Sequence, residues 1–596
     1  MIHRSVYILV VLCGMILPSS AEPATKTERP TVVSVTFAGN NVFSEDRLRG
    51  LMVTRPPGFL SSTKYYKEVL NDDISRVVAF YRQHGYLNAA VSDTGVVRDT
   101  AANEVAIELT LVEGDLTRLE GLSVFGNTVF PDSVLRGRIA VAKGEPFNPL
   151  AVENGAMAIL QMYADTGYLQ AQVEPEVKIN EEAHRAVVDL DITENQQATI
   201  DEITIRGLQK TQEYVVRREL SFEPGDVISY SELLSSQRRL YLTGLFESVF
   251  IRPAPADSAA AARDILVEVT EPKYGEFSIA VGYGSVEKVR SRIEVSYNNL
   301  AGTGRQLGGR IEGSFIEQGI TASFTEPRTF ATRWQTDVNL LYELQQEPSY
   351  DLTRYGGRLT VGRPIWRNGK LTTTFRFENT SLTKVEPEEV PDDLKPRIRS
   401  LTLRLTNDTR DDPFDPRRGT YIEFSNELAG SFLQGTNTFA RSIMRVKKYW
   451  PWGRKTTIAA ALDLGWQDSF GASEDIPLSE RFFAGGPGAL RAFEYQKAGP
   501  LDDEGNPLGG KFKLVLNLIE VRRTIYKMFG AVVFVDVGNV FPSITELALR
   551  DFRTSVGPGI RAATPIGILR LDWGFKLDPR DNESPRQLYF SMGHAF

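Results

Sequence analysis

The chain has 596 residues, more than one ordinary domain holds, so several domains are expected. Its 42% hydrophobic and 24% charged content resembles that of a soluble protein. No run after residue 20 approaches the ~18 apolar residues of a membrane helix, so a membrane-spanning form has to be a closed barrel. The formal charge of −8 gives no reason to expect nucleic-acid binding.

Residues 1–21 read as a secretory signal peptide rather than a short membrane anchor. Arg4 supplies the positive start, residues 6–17 are apolar, and Ser19, Ser20 and Ala21 offer a cleavage site before Glu22. The single cysteine, Cys13, follows Leu12, whereas a lipoprotein site would place a small residue there. The mature chain then has no cysteine, and therefore no disulfide and no thiol chemistry.

Three segments next repeat one order of signals. They open on Val32–Asn40, Leu119–Asn127 and Ile200–Leu208, each a short alternating strand that reaches Gly39, Gly126 or Gly207 and turns there. Two helical patterns follow in each. The second ends near Gly85, Gly167 or Gly244, where a helix C-terminus favours glycine. Two strands close each unit, for example 185–193 and 264–270. The order is β-α-α-β-β, over 29–114, 117–195 and 198–272.

On these residues the segments resemble POTRA domains, the periplasmic modules of the BamA/TamA superfamily of outer-membrane insertases and transporters. The alternative is three unrelated α/β modules. The resemblance implies that they receive client or partner strands at an exposed sheet edge, without showing which edge.

From residue 273 to 596 helical periodicity gives way to alternation. In 569–577 the large apolar residues take the odd positions and charged residues or Gly the even ones. A membrane barrel turns the first face to lipid and the second to a wet lumen. Strands are expected near 274–284, 288–297, 305–316, 318–326, 332–344, 350–363, 369–379, 397–408, 419–429, 436–449, 454–466, 510–520, 529–538, 553–563, 567–577 and 586–596. The expected fold is thus an all-β transmembrane barrel of about sixteen antiparallel strands after three α+β modules. The connections agree: the Glu/Pro-rich stretch 385–395 and the longest link, 467–509, both fall on the outer side.

The longest link carries Glu480-Arg481-Phe482-Phe483-Ala484-Gly485-Gly486-Pro487-Gly488 and then Leu490-Arg491-Ala492-Phe493. It resembles the sixth extracellular loop of the same superfamily, whose hydrophobic-Arg-Gly-Phe tip folds into the lumen. Ala492 stands where the family has Gly. The resemblance implies that Arg491 meets Asp536, on a strand whose Val533, Val535 and Val537 suit lipid and whose Phe534, Asp536 and Gly538 face inward. The alternative is a glycine-rich surface loop with Arg491 in solvent.

Residues 298–304 and 408–419 also look family-like and fall in periplasmic turns. The acidic 408–419 stretch lacks an EF-hand pattern, so a capped turn is expected rather than a calcium site. In the last strand Leu588, Phe590, Met592, His594 and Phe596 alternate onto one face, resembling the C-terminal recognition signal of outer-membrane proteins. His594 is read as interfacial rather than as a metal ligand. The first barrel strand, which must close against the last, contains Gly275, Gly282 and Gly284, residues that weaken a strand. The resemblance implies lateral opening at that seam.

No enzyme signature is present: the four histidines are scattered, and there is no P-loop, no Gly-x-Ser-x-Gly elbow and no Cys/His cluster. No cofactor or metal is expected. The resemblance implies an insertase or translocase for β-barrel or autotransporter clients. Three repeats and this length look most like the translocation and assembly module, TamA, with a TamB-like periplasm-spanning partner. A BamA-type core factor with accessory lipoproteins comes next, then a two-partner secretion transporter. From another class, a passive pore leaves the three repeats unexplained.

Overall fold

The computed structural model describes residues 29–56, 63–255, 261–386, 393–453, 455–564, 567–580 and 583–592. The signal-peptide reading of 1–21, Cys13, and His594 and Phe596 at the other end lie outside these residues.

Each repeat builds a small sheet covered by two helices. The first holds β1 (Thr31–Ala38), α1 (Glu45–Leu51), α2 (Lys67–Gln83), β2 (Ala90–Asp99) and β3 (Glu104–Val112). The second holds β4 (Arg118–Phe125), α3 (Asp132–Arg136), α4 (Pro149–Asp165), β5 (Gln172–Asn180) and β6 (Arg185–Thr193). The third holds β7 (Thr199–Arg206), α5 (Glu213–Arg217), α6 (Tyr230–Leu242), β8 (Ser248–Pro253) and β9 (Ala262–Thr270). The sheet orders are β1-β3-β2, β4-β6-β5 and β7-β9-β8, so the last strand of each repeat is central.

The central strands alternate because one face is buried. In β6 Ala186, Val188, Leu190 and Ile192 turn inward. They meet Val152, Ile159 and Tyr163, one face of α4 at helical spacing. Pro149 sits in the first turn of α4, and the Asn148 side chain accepts from Ala151 N–H, which caps it. Burying Ile159 completely is worth about 1.5–3 kcal/mol.

One recurring contact ties each repeat shut. The residue after the last strand is a glutamate: Glu113, Glu194 or Glu271. Glu194 accepts from the N–H groups of Thr128 (2.7 Å) and Val129 (2.9 Å) and from the Tyr163 hydroxyl (2.7 Å). Burial alone would raise this carboxyl, but these bonds and the Thr128 hydroxyl hold it down at about 2. Glu113 accepts from Val42 N–H and the Tyr81 hydroxyl, and Glu271 from three successive N–H groups, Gln209 to Thr211. The glutamate thus satisfies the turn that Gly126 opens at φ +79°.

The described residues form two compact units. One comprises the first two repeats and part of the third; the other comprises the rest of the third repeat and everything after it. In the second unit sixteen strands close a barrel in sequence order. They are β10 (Gly275–Gly284), β11 (Lys288–Leu300), β12 (Arg305–Gly313), β13 (Glu317–Glu326), β14 (Gln335–Glu347), β15 (Tyr350–Trp366), β16 (Gly369–Thr383) and β17 (Arg397–Asp408). They continue as β18 (Gly419–Ala429), β19 (Phe439–Trp452), β20 (Thr456–Ser469), β21 (Phe512–Tyr526), β22 (Phe529–Phe541), β23 (Arg553–Thr564), β24 (Gly567–Lys576) and β25 (Arg586–Met592).

Outward positions are apolar and open, as in Phe277, Ile279 and Val281 of β10. Inward positions are polar and covered, as in Glu378, Glu423 and Asp572. Several strands run past their expected ends: β16 reaches Thr383 and β21 reaches Tyr526. Pairing continues above and below the lipid wherever a neighbour is present to bond. Tyr274, expected at the start of the first strand, lies outside it. Its hydroxyl pairs with Thr211 Oγ1 (2.8 Å) and donates to the Leu245 carbonyl, which fixes the point of entry to the barrel.

Candidate functional site: the docked loop and the closing seam

The link between β20 and β21 returns into the barrel. Leu490, Arg491, Ala492 and Phe493 are all buried. Phe493 N–H donates to the Leu490 carbonyl, so the tip is a tight turn. Ala492 does not take positive φ, so an alanine serves where the resembling loops carry glycine.

Arg491 is the centre. Its Nε donates to Asp536 Oδ2 at 2.9 Å and its Nη2 to Oδ1 at 2.7 Å, a bidentate pair. Its Nη1 donates to Glu520 Oε2. The guanidinium lies 3.6 Å from the Phe534 ring centroid. Burial would lower the guanidinium pKa, but Asp536 and Glu520 hold it well above the ordinary value. Asp536 is itself saturated, taking Asn517 Nδ2 (2.9 Å) and the Ser555 hydroxyl (3.2 Å). Gly538, the other inward residue of β22, packs against the β21 backbone, where a Cβ would lie 2.7 Å from Val515 Cα.

Phe493 completes the tip. Cationic groups of Arg553 (4.7 Å) and Lys576 (4.6 Å) flank its ring, and the Tyr589 hydroxyl donates to its carbonyl at 2.7 Å. The tip therefore touches β21, β22, β23, β24 and the closing strand β25.

Four contributors escaped the sequence reading. Glu520 is the second carboxylate on Arg491. The register shift between Asn517 and Ile519 changes the alternation phase of β21 midway, so counting by twos misplaces Glu520. Gly574 on β24 faces the tip at a distance that leaves no room for a side chain: a Cβ there would lie 2.7 Å from Ala492 N. Asn517 donates to the Ala489 carbonyl as well as to Asp536. Glu480 anchors the base of the loop, taking Arg376 Nη2 (3.0 Å) and Arg441 Nη2 (2.9 Å). Those arginines also pair with Glu427, at 2.7 and 3.2 Å. Glu480 is buried, yet Arg376 and Arg441 keep its carboxyl well below the ordinary range. The loop is held at two places, its base on β16 and β19 and its tip on β21 to β25.

The seam joins β10 to β25. Among the described residues two register pairs link them, Tyr283↔Met592 and Gly284↔Ser591, against ten between β10 and β11. Ser285 adds a clamp: its N–H donates to the Phe590 carbonyl (2.8 Å) and its hydroxyl accepts from Phe590 N–H (2.7 Å). A Cβ on Gly282 would come within 2.9 Å of the Met592 carbonyl oxygen, whereas Gly275 has open space around it. Leu588 points outward and is 52% exposed, while Tyr589 points into the lumen.

In the turn between β17 and β18, Asp411 and Asp412 accept backbone N–H groups from 414–418, and Asp408 pairs with Arg410. These carboxylates cap the turn. In the turn between β11 and β12, Asn299 donates to Thr211 Oγ1 and accepts from Gly304 N–H.

Residues 299–596 match the Omp85 superfamily domain, and residues 30–114, 117–195 and 198–271 match the surface antigen variable number repeat, the POTRA module. The chain belongs to the Omp85 superfamily. This Omp85 chain is 25% identical, over 95% of its length and 73% of the relative's, to the outer membrane protein assembly factor BamA of Nitratidesulfovibrio vulgaris. It is 21% identical to the assembly factor BamA of Neisseria meningitidis serogroup B, over 95% of this chain and 78% of that one. Its fold matches BamA from Haemophilus ducreyi lacking POTRA domains 1–3, with a TM-score of 0.69 at 21% identity, covering 80% of this chain and 99% of that one.

Proposed function

We propose that this Omp85 chain is an outer-membrane protein insertase, with its barrel in the outer membrane and its POTRA repeats in the periplasm. One observation carries the reading: a loop whose buried Arg491 is locked onto Asp536 and Glu520 inside a closed sixteen-stranded barrel. That loop occupies the lumen, which favours an assembly device over a passive pore. The names of the relatives support the same reading.

In this reading the repeats receive unfolded clients by strand addition. β2 and β5 are edge strands with exposed residues along most of their length, so they offer unpaired backbone groups to an incoming strand. The barrel then opens where β10 meets β25. A client hairpin pairs with the freed edge, which keeps its backbone groups satisfied in lipid. The work is positional and involves no catalytic residue, cofactor or metal.

Partners follow from the branch. The relatives' names favour a BamA-type core factor with accessory lipoproteins. Three repeats favour a TamA-type module with a TamB-like periplasm-spanning protein. Co-purification from the outer membrane separates the two. The function itself is tested by reconstituting the full chain in liposomes and adding a urea-denatured client barrel. Faster appearance of protease-protected, heat-modifiable client is expected. Client folding no faster than in empty liposomes would sink the proposal.

A further inference from the structure

Below the docked loop the lumen contains a cavity of about 460 Å³, within the range of ligand sites. The turns after β17, β19 and β21 lie around it, so it opens toward the periplasmic end. Pro487, Gly488 and Arg491 of the loop form its roof. Ten basic and only three acidic side chains line it, although the whole chain carries net −8. The excess is therefore local to this cavity.

Of the three carboxylates, Asp415, Glu520 and Asp572, the last two are already committed. Glu520 pairs with Arg491 and Arg522, and Asp572 pairs with Arg561 at 2.7 Å. Lys447 and Arg570 have no carboxylate within ion-pair distance among the described residues. The register sharpens this. Arg561 on β23 stands directly opposite Arg570 on β24, so both side chains share the lumen face. Like charges directly opposite one another destabilise a sheet. Asp572 relieves Arg561, and Arg570 is left facing the cavity. An anion entering there would find partners in Arg570 and Lys447, which both line the cavity.

We propose that this cavity is a binding site for carboxylate-rich, extended polypeptide, holding acidic segments of client chains at the periplasmic mouth. The chemistry is that of the wall itself, where Arg410, Arg491, Arg522 and Arg561 already bind carboxylates through their guanidinium groups. The inference rests on the insertase reading, which is what delivers unfolded polypeptide to this mouth.

The test uses the full chain in detergent micelles with fluorescein-labelled octa-aspartate, followed by anisotropy. Octa-aspartate binds, more weakly as salt rises, and octa-lysine does not. Arg570→Gln combined with Lys447→Gln raises Kd roughly tenfold or more, while Arg570→Lys combined with Lys447→Arg keeps the affinity. Heat-modifiable migration on gels shows that each variant is folded. Unchanged affinity in the double Gln variant overturns the proposal. So does binding of pyrophosphate, displaced by those substitutions, without binding of octa-aspartate, which would make the site one for phosphate. Client insertion is measured separately. Octa-aspartate binding without insertion sinks the insertase reading alone, and insertion without octa-aspartate binding sinks the cavity proposal alone.

Discussion

Arg491 grips Asp536 through two parallel hydrogen bonds, 2.9 Å from Nε and 2.7 Å from Nη2, with both side chains buried inside the barrel. Glu520 shares the same guanidinium. The cation thus has two anions around it, one from each of two neighbouring strands.

Asp536→Ala removes the bidentate partner and leaves Arg491 with Glu520 alone. Breaking one side of a buried pair costs about 3–5 kcal/mol. The loop tip should undock while the barrel remains closed. Limited proteolysis of 484–498 in membranes reports this, and a loop as resistant as wild type would contradict it. Arg491→Lys should undock nearly as far, because an ammonium cannot make the two-point contact.

Gly574→Val tests the fit between tip and wall without touching a charge. The added Cβ meets Ala492 N at 2.7 Å, and the neighbour is backbone, which cannot swing aside. Overpacking of this kind costs about 1–3 kcal/mol. The same proteolysis should show a freed loop, although Arg491, Asp536 and Glu520 are all intact. Wild-type protection would show that the tip tolerates displacement.

The seam is tested with Tyr283→Cys and Met592→Cys, which are opposed in register. Opposed residues stand about 4.5–5.5 Å apart at Cβ, close enough for a disulfide after a small adjustment. Oxidation should abolish client insertion into liposomes and a reductant should restore it. Full activity in the oxidised form would exclude opening between β10 and β25.

The second repeat should weaken in acid. Glu194 titrates at about 2 in the fold against an ordinary 4.5. A depressed carboxyl stabilises fully above the ordinary value, and that contribution fades as pH falls from 4.5 toward 2. Glu194 is only partly covered, so the contribution, discounted for solvent screening, is about 1–2 kcal/mol. Protection of the Thr128 and Val129 amides, the exchange rate relative to the intrinsic one at each pH, should fall across that window in wild type. In Glu194→Gln that protection should be low at every pH, and equal protection in the two proteins would refute the contact.

The sequence by itself determined the architecture. Strand positions follow from alternation between lipid and lumen, and repeats from recurring glycines and helical spacing; both are local properties of a few adjacent residues. The Arg491–Asp536 pairing came from family resemblance, and the structure supplied its geometry. Tertiary structure alone decided the rest. Glu520 faces Arg491 because a bulge at 517–519 shifts the phase of β21, and nothing local marks that shift. Glu480 reaches Arg376 and Arg441 across 104 and 39 residues of chain. Gly574 matters only because the loop tip comes to rest against it. Arg561 and Arg570 oppose one another only in the register that β23 and β24 adopt. Alternation says which face a side chain occupies; closure of the barrel decides what it meets there.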